Sequence, residues 1–141
     1  MEVKRRKVRH LAQRLDRQVA FEVVGEAGDY GELRTLMRTL AADGRGAGCD
    51  VLVLDINLPG RSGLDVLHVL KEEGNPVKVL VVSMYPEDQY AMRALKAGAS
   101  GYLNKGSDAA QIVQAVRTVS QGKKYVTPEM AQMLVDNLTA P

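Results

Sequence analysis

The sequence lacks the features that mark secreted, disulfide-rich or membrane-spanning chains. It has one cysteine in 141 residues, so no internal disulfide can form, and this fits a reducing compartment. Its longest apolar runs are far too short to span a membrane. The basic start is not followed by the apolar core of a signal peptide. We therefore expect a soluble, cytoplasmic domain that makes no use of a membrane.

Acidic residues are scarce in the first 18 positions, which carry seven Lys and Arg residues against Glu2 and Asp16 alone. Apolar residues in this segment recur at helical spacing, which predicts an amphipathic helix over residues 4–18. The basic residues then form either the solvated face of that helix or a patch for phosphate or nucleic acid. The net charge of +2 does not by itself imply an acidic partner.

The rest of the chain alternates short apolar runs with helical periods. Apolar runs rich in β-branched residues predict strands over residues 20–27, 51–55, 77–83 and 101–103. Helical spacing, capping residues and glycine stops predict helices around residues 33–40, 64–70, 86–98, 108–119 and 127–138. Strands that alternate with helices form βαβ units, so we expect an α/β fold with a mostly parallel sheet and helices on both faces.

Polar residues end three of the predicted strands: Asp55, Ser83 and Lys105. Ligands of parallel sheets lie outside the carboxyl ends of the strands, so these side chains would converge on one rim. An aspartate there can attack phosphorus as a nucleophile and carry an acyl phosphate. Lys105 would meet the added negative charge, and Ser83 could donate a hydrogen bond to a phosphoryl oxygen. Taken singly, such an aspartate is often only a turn or capping residue.

Three segments carry a resemblance to a known family: LDINLPGRSGLDVL, LVVSMYPEDQYAMRALKAGASGYLNK and GKKYVTPEMAQML. They closely resemble the receiver domains of bacterial two-component response regulators, nearest the LuxR/NarL type. The resemblance implies a flavodoxin-like (CheY-like) doubly wound parallel sheet with strand order 2-1-3-4-5. It also implies a receiver domain over residues 1–125, atypical at residues 1–7. Residues 126–141 would be a C-terminal helix and linker toward a DNA-binding domain that this chain lacks.

The same resemblance implies roles for individual residues. Asp55 would be the phosphoacceptor, fed by a histidine kinase or a small phosphodonor, and Ser83 the switch hydroxyl. Lys105 would bind the phosphate, and Tyr102 matches the aromatic that moves between outward and inward positions. Asp55 and the backbone carbonyl of Asn57 would be ligands of Mg²⁺. The implied function is phosphorelay signalling that controls a transcription-regulating output. The resemblance implies no enzyme activity, and it is compatible with a homodimer.

The chain departs from the family at its start. The family opens with an apolar strand that ends in two or three acids, which hold Mg²⁺ through oxygen ligands. That loop should fall near residues 2–6, where the sequence reads EVKRR, so the acidic pair is not found and the first strand is missing or degenerate. Three compensations are open: EVKRRKV forms a poor strand, the strand over residues 20–27 pairs with residues 51–55, or another chain fills the gap. We favour the second, because it satisfies the backbone hydrogen bonds with the fewest buried charges.

Other functions compete with phosphorylation at Asp55. The chain could be a degenerate receiver that acts as a phosphorylation-independent protein-interaction module. An aspartate-dependent phosphohydrolase is disfavoured, because such enzymes use a second acid two residues after the nucleophile, where this chain has Asn57. A basic N-terminal arm alone would bind DNA only weakly and without sequence specificity.

Overall fold

The computed structural model describes residues 21–42, 49–56, 60–83, 89–104 and 106–139. Helices and strands alternate from Tyr30 to Ser120, and one more helix follows. In chain order these elements are α1 (Tyr30–Ala42), β1 (Val51–Asp55), α2 (Gly63–Glu72), β2 (Lys78–Ser83), α3 (Gln89–Lys96), β3 (Gly101–Asn104), α4 (Ala109–Ser120) and α5 (Pro128–Thr139). The helix predicted over residues 4–18 lies outside the described residues.

The described strands form one parallel sheet in the order β1-β2-β3. Their sequences, VLVLD, KVLVVS and GYLN, are rich in Val and Leu because helices cover both faces of a parallel sheet. Apolar residues therefore occupy successive positions and not alternate ones. The predicted α/β architecture and the predicted strands at 51–55, 77–83 and 101–103 are confirmed.

The sheet separates two apolar clusters. The first, which we call the Tyr102 cluster, joins the sheet to α1, α2, α3 and α5 and includes Leu54, Val81, Ala94, Tyr102 and Met130. The second, the Leu80 cluster, joins the sheet to α4 and consists of Leu80, Leu103, Ala115, Val116 and Val119. Alternate residues of each strand thus serve opposite faces.

The helices begin and end where capping chemistry allows it. The Asp108 side chain accepts a hydrogen bond from the Gln111 N–H, and the Gln111 side-chain oxygen accepts one from the Asp108 N–H. This reciprocal pair completes a capping box before α4. Thr127 caps α5 through the Met130 N–H. The sequence predicted Thr127 as the cap of α5 and left the cap of α4 open between Ser107 and Asp108. Among the described residues, no helix has the length and apolar character needed to cross a bilayer.

One predicted strand is wrong. Residues 21–27 form no strand, although their β-branched and aromatic residues suggested one, and so the favoured pairing of this segment with β1 is not seen either. Instead, Phe21 and Val23 pack against the Leu80 cluster, and the Arg117 guanidinium lies 5.9 Å from the centre of the Phe21 ring. Strand propensity mainly reflects how a side chain fits a pleated, half-buried surface, so the segment can bury its apolar residues without a ladder.

Gly63, at the start of α2, is buried against the backbone that follows β1. A Cβ atom at this position would lie 2.7 Å from the Cα of Ile56, too close for either backbone to accept without moving. We expect Gly63→Ala to lower the free energy of unfolding by about 1–3 kcal/mol through overpacking. Urea denaturation of both variants measures the change.

Gly31 provides the control, since it lies in the first turn of α1 and is exposed. A Cβ atom there would meet only the Asp29 side chain at 3.4 Å. Gly31→Ala should leave stability unchanged or raise it by up to about 1 kcal/mol, because alanine loses less conformational freedom in a helix. Equal losses in the two variants would contradict the steric explanation.

Candidate functional site

The carboxyl edge of the sheet brings the ends of the three described strands together. Asp55 is the last residue of β1 and lies opposite Val82, while Ser83 is the last residue of β2 and lies opposite Asn104. The strand-end positions predicted for Asp55 and Ser83 are therefore confirmed. Lys105 directly follows Asn104, but like Asn57 it lies outside the described residues.

Backbone hydrogen bonds hold the chain on leaving β1. The Ile56 N–H donates to the Val82 carbonyl oxygen at 3.2 Å, so β1 stays paired with β2 one residue beyond Asp55. The Ile56 carbonyl oxygen then accepts from the Gly63 N–H at 2.7 Å, which closes the loop between β1 and α2. Gly60 within this loop has φ +91°, a conformation that suits glycine. The backbone at Asp55 and directly after it is thus held by main-chain contacts.

A cation–π contact ties the same loop to α1. The Arg61 guanidinium lies 4.8 Å from the centre of the Tyr30 ring, and Tyr30 is the first residue of α1. Such a contact at a partly exposed site stabilises by about 0.5–1 kcal/mol. Sequence reasoning missed this pair, because the two residues lie on separate elements and no spacing rule relates them.

Ser83 and Tyr102 are both fully buried, at 0 % exposure. Tyr102 lies opposite Val81 in the sheet, and Ser83 follows Val81 by two residues, so their side chains leave the sheet on the same face. That face carries the Tyr102 cluster. In the described residues, no buried side-chain nitrogen or oxygen lacks a hydrogen-bond partner. The Ser83 hydroxyl therefore lies in the packed interior and not at the surface.

The described residues do not by themselves form a metal site. No group of three or more His, Cys, Asp or Glu side chains among them is arranged to hold a metal ion. Magnesium in proteins usually takes one or two carboxylates together with phosphate and water. Asp55 could supply one such carboxylate, but the described part of the chain does not complete a cage around it.

Among the residues that the structure describes, two groups away from the rim have a shifted pKa. Cys49, a free half-buried thiol just before β1, has its pKa raised by burial and, to a lesser degree, by the nearby negative charge of Asp50. Arg34 of α1 pairs with Glu73 at the end of α2, at 2.7 Å, and this hydrogen bond raises the pKa of Arg34. The ion pair fastens α1 to α2 on the Tyr102 side of the sheet.

Comparison with known sequences identifies the class of protein. The family model for the response regulator receiver domain matches residues 4–117. The chain therefore belongs to the response regulator receiver domain family, and it is a receiver domain of two-component signalling. The order of the described strands agrees with the last three strands of the flavodoxin-like arrangement that the sequence resemblance implied.

Individual relatives agree with this assignment. The chain is 36% identical over 113 residues to the response regulator GacA of Pseudomonas viridiflava, a match that covers 80% of this chain and 50% of GacA. It is 40% identical over 88 residues to the oxygen regulatory protein NreC of Staphylococcus epidermidis, covering 62% of this chain and 40% of NreC. The chain thus spans about half the length, or less, of these curated relatives.

Solved structures show the same fold. A two-component response regulator of the LuxR family from Aurantimonas sp. SI85-9A1 superposes with a TM-score of 0.77 at 29% identity, covering 94% of this chain and 89% of the other. The signal receiver domain of NarL from Mycobacterium tuberculosis superposes with a TM-score of 0.69 at 30% identity, covering 82% and 87%. These likenesses support the LuxR/NarL type that the sequence motifs suggested.

Burial of Cys49 predicts that its thiol reacts slowly with alkylating reagents. The thiolate is the reactive form, and a pKa raised above that of an exposed cysteine leaves less of it near neutral pH. We expect alkylation of the folded protein between about pH 7 and 8.5 to be slower than alkylation of the urea-unfolded chain. The difference should narrow as the pH rises and both states ionise.

Mass spectrometry of the alkylated protein over time measures both rates, and the Cys49→Ser variant gives the background. A folded thiol that reacts as fast as the unfolded one at every pH would contradict the assigned burial.

Proposed function

We propose that Asp55 is the phosphoacceptor of this receiver domain. The observation that carries the proposal is the strand-end position of Asp55 beside the end of β2, on a rim where parallel sheets bind their ligands. In the reaction, a carboxylate oxygen of Asp55 forms a bond to phosphorus as the bond to the donor's leaving group breaks. The product is an acyl phosphate whose phosphoryl group carries about 1.5–2 negative charges, in place of the single charge of the Asp55 carboxylate.

The neighbouring residues divide the handling of that charge. Lys105 follows the residue paired with Ser83, and its ammonium group meets the phosphoryl oxygens as a mobile point charge. Ser83 donates a hydrogen bond to one of those oxygens, and because the hydroxyl is buried, the bond requires a local rearrangement of β2 or of the chain after it. Tyr102, which lies on the same face, is the residue whose packing such a rearrangement disturbs.

Magnesium is the cofactor that receiver domains generally use, and when bound it offsets the repulsion between a carboxylate and an incoming phosphoryl group. Asp55 and the Asn57 carbonyl are the ligands that the family pattern assigns in this chain. The acidic pair of that pattern is not found in the sequence, and the described residues hold no group that replaces it. Metal dependence of the transfer to Asp55 therefore distinguishes a complete metal site from an incomplete one.

The partners follow from the same proposal. A histidine kinase or a small phosphodonor supplies the phosphoryl group, and the output regulates transcription. Two relatives, the response regulator GacA and the oxygen regulatory protein NreC, support this assignment. DNA contact would pass through a further domain, since the match covers only about half of each relative. The location we propose is the cytoplasm.

One observation favours a second function. The acidic pair is missing from the expected position, and a chain without it keeps the fold and the rim but lacks the carboxylates that support efficient phosphoryl transfer. Without that chemistry the chain acts as a degenerate receiver, which binds a protein partner without phosphate. A single experiment separates the two functions.

The test is intact-mass spectrometry of the protein after incubation with a small acyl-phosphate donor. We expect a mass gain of one phosphoryl group in the wild type and none in Asp55→Asn. Asp50→Asn is the matched control, because Asp50 is exposed and precedes the same strand that Asp55 ends. Asp50→Asn should keep the full gain.

Each arm is run with Mg²⁺ and again with a chelator. A gain in both arms would show that the chain transfers phosphate without the metal, and a gain only with Mg²⁺ would show that a metal site forms. No gain in either arm at saturating donor would remove the phosphoacceptor proposal and leave the interaction module.

A further inference from the structure

The last helix, α5, is fastened to the body at its first turn. Met130 is 1 % exposed and belongs to the Tyr102 cluster, while Val135 and Leu138 are 52 % and 86 % exposed. The helix packs against α3, and α3 in turn packs against β3. Among the side chains of α5 that the structure describes, Met130 is the fully buried one, Met133 and Leu134 are half-buried, and exposure rises toward the end of the helix.

The segment that leads into α5 is joined to β3 by backbone contacts. The Tyr125 N–H donates to the Ser100 carbonyl oxygen at 2.9 Å, and the Tyr102 N–H donates to the Tyr125 carbonyl oxygen at 3.4 Å. Tyr125 also forms an isolated parallel bridge with Gly101, and the Lys124 ammonium donates to the Ala99 carbonyl oxygen at 3.3 Å. Two residues after Tyr125, Thr127 caps α5. The start of α5 is thus held by the same strand that carries Tyr102.

Gly101 leaves little slack in this junction. A Cβ atom there would lie 3.0 Å from the Leu80 side chain and 3.0 Å from both the Cβ and the carbonyl oxygen of Tyr125. A side chain at position 101 would therefore press on the Tyr125 backbone, which runs close beside β3. A displacement of β3 at Tyr102 cannot be absorbed between these two segments without changing their hydrogen bonds.

Two routes consequently link Tyr102 to α5. One runs through the backbone from Tyr102 to Tyr125 and Thr127, and the other runs through the apolar cluster that Tyr102 shares with Met130. Tyr102 also shares its face of the sheet with Ser83 at the rim. We propose that α5 is a docked arm, and that its attachment to the domain is coupled to the packing of Tyr102 in the Tyr102 cluster. This coupling goes beyond the proposed function and does not require phosphate on Asp55.

The test measures amide hydrogen exchange by mass spectrometry under native conditions, without any phosphodonor. Tyr102→Leu removes the ring from the shared cluster, and we expect exchange in residues 128–139 to rise by about tenfold or more. Val119→Ala is the matched control, because Val119 is also fully buried but belongs to the Leu80 cluster on the other face. It should raise exchange in α4 more than in α5.

The reciprocal variant tests the coupling from the other end, as linkage requires. Met130→Ala should speed exchange in α5 and also at residues 100–104, where the Tyr102 N–H bonds to Tyr125. Leu138→Ala removes an exposed apolar side chain from the same helix and should change neither segment.

The proposal is overturned if Met130→Ala loosens α5 while exchange at residues 100–104 stays at the wild-type rate. It is also overturned if Val119→Ala loosens α5 as much as Tyr102→Leu does, since the effect would then be general destabilisation. If Tyr102→Leu does not fold, the Met130→Ala comparison decides alone. These outcomes do not depend on whether Asp55 accepts phosphate, so this proposal and the proposed function can fail separately.

Discussion

The parallel pairing of β1 with β2 and of β2 with β3 is the constraint on which the rest of the structure depends. Its register places Asp55 opposite Val82 and Ser83 opposite Asn104, so the positions of the rim residues are set by main-chain hydrogen bonds. The same register determines which side chains share a face of the sheet, and therefore which of them can pack against one another. The rim and the two apolar clusters are consequences of one hydrogen-bond pattern.

Much of this pattern could be predicted from the sequence. The strands VLVLD and VKVLVVS are apolar at successive positions, a signal that only burial on both faces explains. Asp108 and Thr127 indicate where the next helices begin, because a side-chain cap is a local interaction that the sequence shows directly. The strand predicted over residues 20–27 was wrong, because the prediction rested on composition alone. A strand forms only where a neighbouring backbone accepts its hydrogen bonds.

The site was predictable in position and less so in environment. Strand ends locate Asp55 and Ser83, but no sequence rule indicates that the Ser83 hydroxyl is fully buried or that it shares a face with Tyr102. The contact between Arg61 and Tyr30 is likewise invisible, because it joins two elements through tertiary packing. Met130 lies in the domain core, and no local sequence rule indicates which surface the last helix packs against.

The bridge at Tyr125 also protects the sheet. An outer strand normally presents unpaired N–H and carbonyl groups, which can recruit a strand from another molecule. In this chain the backbone at Tyr125 already occupies part of that edge, beside Gly101 and Tyr102. Intermolecular strand addition at those residues would first have to displace Tyr125, so the chain's own C-terminal segment works as a guard against edge-to-edge aggregation.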